Sequence, residues 1–283
     1  MKNYLELTKP RVTWLILMST AIGFWFGVRE TGNWWALLHA LAGTWFIASG
    51  TFTLNQWYER EADARMRRTK DRPLPSGRVT PRQALLFGLV LSGIGFAELF
   101  WGANALTGWL GLFTEITYLC AYTPLKQKSW HATTVGAVPG AMPPLLGYAA
   151  AAGTLTWEAV ALYAILFLWQ FPHFYSIAWL YREDYARANI KMLPVIETDG
   201  TSTARQILLA SAILIPVSLA PTYLSMAGNL YAAGAILLGT GFLYTGWKVA
   251  KERTLVRARG VLLASVIYLP VLYGLMVLDR PGV

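Results

Sequence analysis

Residues 34–77 read WWALLHALAGTWFIASGTFTLNQWYEREADARMRRTKDRPLPSG. An apolar run, Trp34–Leu54, passes directly into Asn55, Glu59 and Asp63, spaced four residues apart, and a basic stretch extends from Arg60 to Arg82. If the apolar helix continues, each four-residue step turns about 400°, so the three side chains drift only ~80° and form one polar stripe ~12 Å long. Such a stripe suits magnesium, which takes oxygen ligands from one or two carboxylates and from substrate phosphates, while Arg and Lys take the remaining phosphate oxygens. The stretch therefore predicts a magnesium-diphosphate site at a membrane surface.

The rest of the chain fits a bilayer. It has 283 residues, of which 55% are hydrophobic and 14% charged, against about a quarter charged in soluble domains. Runs able to cross ~30 Å of hydrocarbon lie at Val12–Val28, Trp34–Leu54, Ala84–Trp101, Leu106–Leu125, Thr133–Ala151, Trp157–Tyr181, Gln206–Leu224, Asn229–Val249 and Gly260–Leu278. They predict an all-α polytopic membrane protein, a bundle of nine transmembrane helices with a cytoplasmic N-terminus and the C-terminus outside. The basic residues support this independently, because cytoplasmic loops are enriched in Lys and Arg. With that topology, all of the 24 Lys and Arg except Arg29 and Arg280 fall on the inner side. Topology and anionic lipid thus account for the net charge of +9, and no nucleic-acid motif is present. The lone Cys120 excludes an internal disulfide and a thiolate metal cage. The N-terminus reads as a retained anchor in the plasma membrane, with the active site on the cytoplasmic side.

A second tail, WLYREDYARANIKMLPVIETDG at 179–200, carries Glu183 and Asp184, then basic residues and a Leu193-Pro194 step like Leu74-Pro75. Four helices separate the tails. This suggests a weak duplication of helices one to four and five to eight within a single domain, 1–283, bringing Asp184 opposite the first stripe. Glu61, Asp71, Glu197 and Asp199 read as solvated loop charges, His39 as an interfacial residue and His131 as a loop residue. Glu98 reaches the outer interface, whereas Glu115, near mid-membrane, must be protonated or paired. In WQFPHFYSIAW at 169–179, Pro172 is expected to open the sixth helix beside Gln170 and His173, making them cavity-lining candidates. Phe171, Phe174, Tyr175 and Trp179 flank that cavity, and aromatic faces stabilise cations.

A diphosphate site opening into an apolar, aromatic bundle implies a substrate with a phosphorylated head and a greasy tail. The chain resembles the UbiA-type intramembrane prenyltransferases. The resemblance rests on Asn55-x3-Glu59-x3-Asp63-x2-Met66-x-Arg68-Thr69-x2-Arg72-Pro73-Leu74 and on Tyr122-Thr123-x-Leu125-Lys126, with Asp184-Tyr185 and Met192-Leu193-Pro194-Val195 following later. Gly136-Ala137-x2-Gly140-Ala141-x-Pro143-Pro144-Leu145-x-Gly147 and Trp169-Gln170-x-Pro172-His173-Phe174 point to the haem-acting branch.

That branch implies magnesium-dependent transfer of farnesyl from farnesyl diphosphate to a vinyl group of haem b, with addition of water, giving haem O and diphosphate. Asn55, Glu59, Asp63 and Asp184 are then the catalytic metal ligands. Arg68, Lys70, Arg72, Lys126 and Lys191 bind diphosphate, and Gln170 and His173 bind haem, His173 by ligating iron or by donating a hydrogen bond. Two positions depart from the family pattern: Glu59 stands where Asp is usual, and Glu183 where a basic residue is common, leaving open whether Arg182 supplies the missing charge. Alternatives are prenylation of a quinone precursor or chlorophyllide and, in another class, a secondary transporter.

Overall fold

The computed structural model describes residues 1–28 and 33–281, and among these every regular element is helical. Arg29 and Val283, both assigned to the outer side, lie outside the described residues. The chain divides into two compact units, one of Met1–Leu155 with Asp184–Ile190, the other of Thr156–Glu183 with Lys191–Val283.

The first unit holds α1 (Lys2–Leu7), α2 (Pro10–Gly27), α3 (Trp34–Arg65), α4 (Pro81–Ala97), α5 (Ala105–Ile116), α6 (Thr123–Leu125), α7 (Ala132–Gly140) and α8 (Met142–Ala152). α4 and α5 run on into wide turns with i→i+5 bonding, Glu98–Ala103 and Thr117–Tyr122, a geometry often found at functional sites. α3 starts at a capping Asn33, whose side chain accepts from the Ala36 N–H. It then carries the apolar run and the polar stripe on one uninterrupted helix, as the quoted stretch predicts. Without a hydrophobic force between helices in lipid, close backbone approach must do the packing. α3 and α4 meet at Gly50, where a Cβ would stand 2.3 Å from Ser92 Oγ, and α2 and α8 meet at Gly147, where it would stand 1.8 Å from the Thr20 carbonyl oxygen.

The run Thr133–Ala151, expected as one helix, is broken at Ala141. Pro143 and Pro144 have no N–H to offer the carbonyls of Pro139 and Gly140, and their rings crowd the preceding turn. The Gly-Ala-x-Pro-Pro motif is thus a helix break followed by the Gly147 contact on α2. Glu115 accepts from the Ser92 hydroxyl of α4 in the buried interior, a hydrogen-bond partner that carries no charge. Glu98 Oε2 lies 2.7 Å from His39 Nδ1.

The second unit holds α9 (Trp157–Leu180), α11 (Leu193–Ile196), α12 (Thr201–Ser218), α13 (Ala220–Tyr223), α14 (Asn229–Lys251) and α15 (Leu255–Leu278), with α10 (Arg182–Arg187) crossing the division. α12 and α15 each pack on α9 and α14. α9 remains helical through Pro172, so the expected opening is not a break in the helix.

Five helical segments among the described residues, 34–65, 81–103, 157–180, 201–223 and 255–278, are long and apolar enough to cross a membrane. Side chains such as Leu237 and Leu263 are 74% and 63% exposed, a pattern suited to lipid contact. The chain is an all-α, polytopic membrane protein.

Candidate active site

The site is assembled from four segments of the first unit. At the end of α3, Asn55, Glu59 and Asp63 are all buried. The loop after α3 is pinned by Leu74 and Val79, which pack with Leu7 and Ala84, and this holds Arg72 so that its Nη1 donates to Asp63 Oδ2 at 2.7 Å. After the wide turn Thr117–Tyr122, Lys126 reaches Glu59 Oε1 at 2.9 Å and lies 4.5 Å from the Tyr122 ring centre. Finally, Asp184 accepts from the Arg67 backbone N–H at 3.1 Å and from the Arg187 guanidinium. Each carboxylate therefore has its own cationic partner.

The Asn55 amide is oriented by its neighbours. Thr123 Oγ1 gives its proton to the Tyr118 carbonyl at 2.9 Å, so toward Asn55 it can only accept, and Asn55 Nδ2 donates to it at 3.1 Å. The Asn55 carbonyl oxygen is thereby left for a cation. Electrostatics follow the contacts. Burial alone would lower the Lys126 ammonium, but the Glu59 carboxylate beside it reverses this and holds it well above the usual lysine value. Burial would raise Asp184, yet the hydrogen bonds from Arg187 and the Arg67 N–H bring it below the ordinary carboxylate value.

Arg68 also belongs to this unit and lies 5.9 Å from the Tyr185 ring centre. Lys70 is exposed. Lys191, Gln170 and His173 belong to the second unit, where Lys191 is exposed and Gln170 is buried. His173 contacts Ser265 of α15 through Nδ1 at 2.8 Å and stacks on Trp169 with ring centres 4.6 Å apart. The charge beside Asp184 is Arg187. Arg182 instead sits 4.5 Å from the Trp179 ring centre.

Lys9 has a place in the site that the sequence did not disclose. It adopts φ +48° immediately before Pro10, a left-handed conformation rare outside glycine and often tied to function. Its ammonium sits 5.0 Å from the Phe52 ring centre. Burial, then the charges of Arg72 and Lys126, push it down to about 7 against the pull of Glu59 and Asp63. The docking of α1 puts it there: Gln56 Nε2 donates to the Leu7 carbonyl at 2.7 Å, and Arg78 Nη1 donates to Glu6 at 2.9 Å. The Lys-Pro step was the one local signal.

Among the described residues, no group of three or more His, Cys, Asp or Glu could hold a metal by itself. The side chains of Asn55, Glu59, Asp63 and Asp184, all in the first unit, offer oxygens, which suit a hard cation completed by phosphate oxygens.

The family model for the UbiA prenyltransferase family matches residues 16–268. A protoheme IX farnesyltransferase of Solibacter usitatus is 61% identical, covering 100% of both chains. Among solved structures, a digeranylgeranylglyceryl phosphate synthase superposes with a TM-score of 0.84 at 16% identity, covering 100% of this chain and 99% of that one. A UbiA homolog from Archaeoglobus fulgidus bound to GPP and Mg2+ superposes with a TM-score of 0.72 at 18% identity, covering 97% and 99%. The two structures share the fold, and with the family match and the full-length relative they lead to one conclusion: the chain belongs to the UbiA prenyltransferase family.

Proposed function

We propose that the protein transfers farnesyl from farnesyl diphosphate to a vinyl group of haem b, adding water to give haem O and diphosphate. The observation that carries the donor half is the buried row Asn55, Glu59 and Asp63, joined in the same unit by Asp184, with one cation at each carboxylate. The acceptor half is supported by the full-length relative and by the Trp169–Phe174 segment. Membership of a prenyltransferase family speaks against the transporter alternative.

Asn55 Oδ1, Glu59, Asp63 and Asp184 would hold magnesium, which when bound neutralises charge on the leaving diphosphate. A UbiA homolog bound to GPP and Mg2+ supports that assignment. Arg72 and Lys126, now partnered by Asp63 and Glu59, can turn to diphosphate oxygens, with Arg68, Lys70 and Lys191 adding positive charge. The C1–oxygen bond to diphosphate breaks and leaves an allylic cation. Phe52, Tyr118 and Tyr122, whose rings meet edge to face at 6.2 and 4.9 Å, present π faces beside the acidic row and keep water from that cation. The terminal vinyl carbon forms a bond to C1. The positive charge moves to the carbon next to the porphyrin, water adds there, and a proton is lost. Gln170 and His173 hold the haem.

The same reading places nine crossings in the plasma membrane as a single domain with the duplicated tails on the cytoplasmic side, supported by the distribution of Lys and Arg and by the five helical segments long and apolar enough to span. Pyrophosphate release by purified protein supplied with farnesyl diphosphate and haem b tests the assignment. Release should stop with excess chelator and return with magnesium. Release that continues under chelator overturns the metal role.

A further inference from the structure

Ser265 on α15 is fully buried and meets two groups at once. Its hydroxyl oxygen lies 2.6 Å from the Leu262 carbonyl oxygen and 2.8 Å from His173 Nδ1. A serine hydroxyl has one proton, and a carbonyl can only accept. The proton therefore lies between Ser265 and Leu262, since without it two lone pairs would face each other at 2.6 Å. The proton of the 2.8 Å contact must then come from the imidazole, so Nδ1–H donates to Ser265 Oγ. An imidazolium would place a charge on a membrane-spanning helix with no carboxylate paired to it among the described residues, which is costly. The neutral ring carries its lone pair on Nε2.

The ring is held in place from two further sides. Trp169 stacks on it at 21°, and Trp169 Nε1–H donates to the Ser265 carbonyl at 2.8 Å, so Ser265 fixes the imidazole through its side chain and the indole through its backbone. Phe174 meets the ring edge on at 5.4 Å. Among the described residues, none makes a hydrogen bond to Nε2, and that atom is not one of the polar atoms sealed in the interior without a partner.

We propose that Ser265 is a positioning residue that fixes His173 as the Nδ1–H tautomer, so that Nε2 ligates the iron of the haem acceptor. The inference rests on the reading of haem b as substrate. Of the two roles open to His173, the tautomer selects ligation, because a nitrogen without a proton cannot donate. Histidines that bind metals commonly give their other N–H to a fixed acceptor, which orients the ring and raises ligand basicity.

The test begins on haem-free, full-length protein labelled with 15N-histidine, the His173 signals being assigned by difference from His173→Gln. Nδ1 should be protonated and Nε2 bare, and a bare Nδ1 overturns the tautomer. Haem b is then titrated in without prenyl diphosphate. Reduced wild type should show an iron–histidine stretch in resonance Raman. In His173→Gly that band should vanish and haem affinity fall about tenfold or more, with added imidazole restoring the band, while affinity for iron-free protoporphyrin stays unchanged. Ser265→Ala should lower the stretching frequency, and Ser265→Thr, which keeps the hydroxyl, should restore it. A band that survives in His173→Gly, or a frequency indifferent to Ser265→Ala, overturns the proposal. If wild type fails to prenylate haem b, the acceptor reading falls; if it prenylates haem b yet shows no such band, this inference alone falls.

Discussion

The tails of α3 and α9 look alike in sequence and differ in structure. Each follows an apolar run with carboxylates, basic residues and a Leu-Pro step. α3 stays helical through Asp63 and delivers its three ligand candidates on one rigid face. α9 ends at Leu180, and Asp184 stands on the short α10, in a segment that belongs to the other compact unit and is tied to the loop after α3 through the Arg67 N–H. A helix can fix the mutual spacing of Asn55, Glu59 and Asp63 alone. The position of Asp184 depends on Arg67 and Arg187, so the second tail is built by tertiary contact.

The largest expected effect comes from removing one charge in each tail. Asp63→Asn and Asp184→Asn should each lower pyrophosphate release by on the order of 10²–10³-fold or more, with thermal stability in detergent little changed. An inactive Asp63→Asn beside a fully active Asp184→Asn would break the comparison, leaving the second tail outside the site. Arg187→Met should reproduce part of the Asp184→Asn loss, whereas Arg182→Met should not; kinetics on the pair sharpen the assignment of the positive charge.

A packing change should act on folding more than on chemistry. Gly147→Val drives a side chain into the Thr20 carbonyl, and overpacking of this kind costs about 1–3 kcal/mol. A thermal midpoint equal to wild type would contradict the α2–α8 contact.

The smallest effect expected is one of pH. Unfolded Lys9 keeps its proton up to its ordinary value of 10.5, whereas the folded protein releases it near 7. Between those values the unfolded chain holds more protons, so stability should rise with pH. Lys9→Met should flatten that slope in the substrate-free protein, and an unchanged slope would place the ammonium elsewhere.

Much of α3 was legible because a helix converts spacing into geometry. Five of the nine apolar runs were legible as spanning helices because a bilayer demands length and hydrophobicity. The break at Ala141 has visible causes, Pro139, Pro143 and Pro144, yet its position depends on how α8 packs against α2. Lys9 was hidden because its left-handed backbone and buried ammonium arise from the docking of α1 under Gln56 and Arg78. Ser265 was hidden for a like reason: it lies 92 residues from His173 and offers no motif of its own.

What leaves the enzyme reveals which bond it has made, and the mass of the porphyrin product reads that bond directly. Purified protein given magnesium, farnesyl diphosphate and haem b should release haem heavier by one farnesyl group and one hydroxyl, with one diphosphate freed for each haem converted. Haem b recovered unchanged while diphosphate is released, or farnesyl found on a different acceptor, would contradict the account.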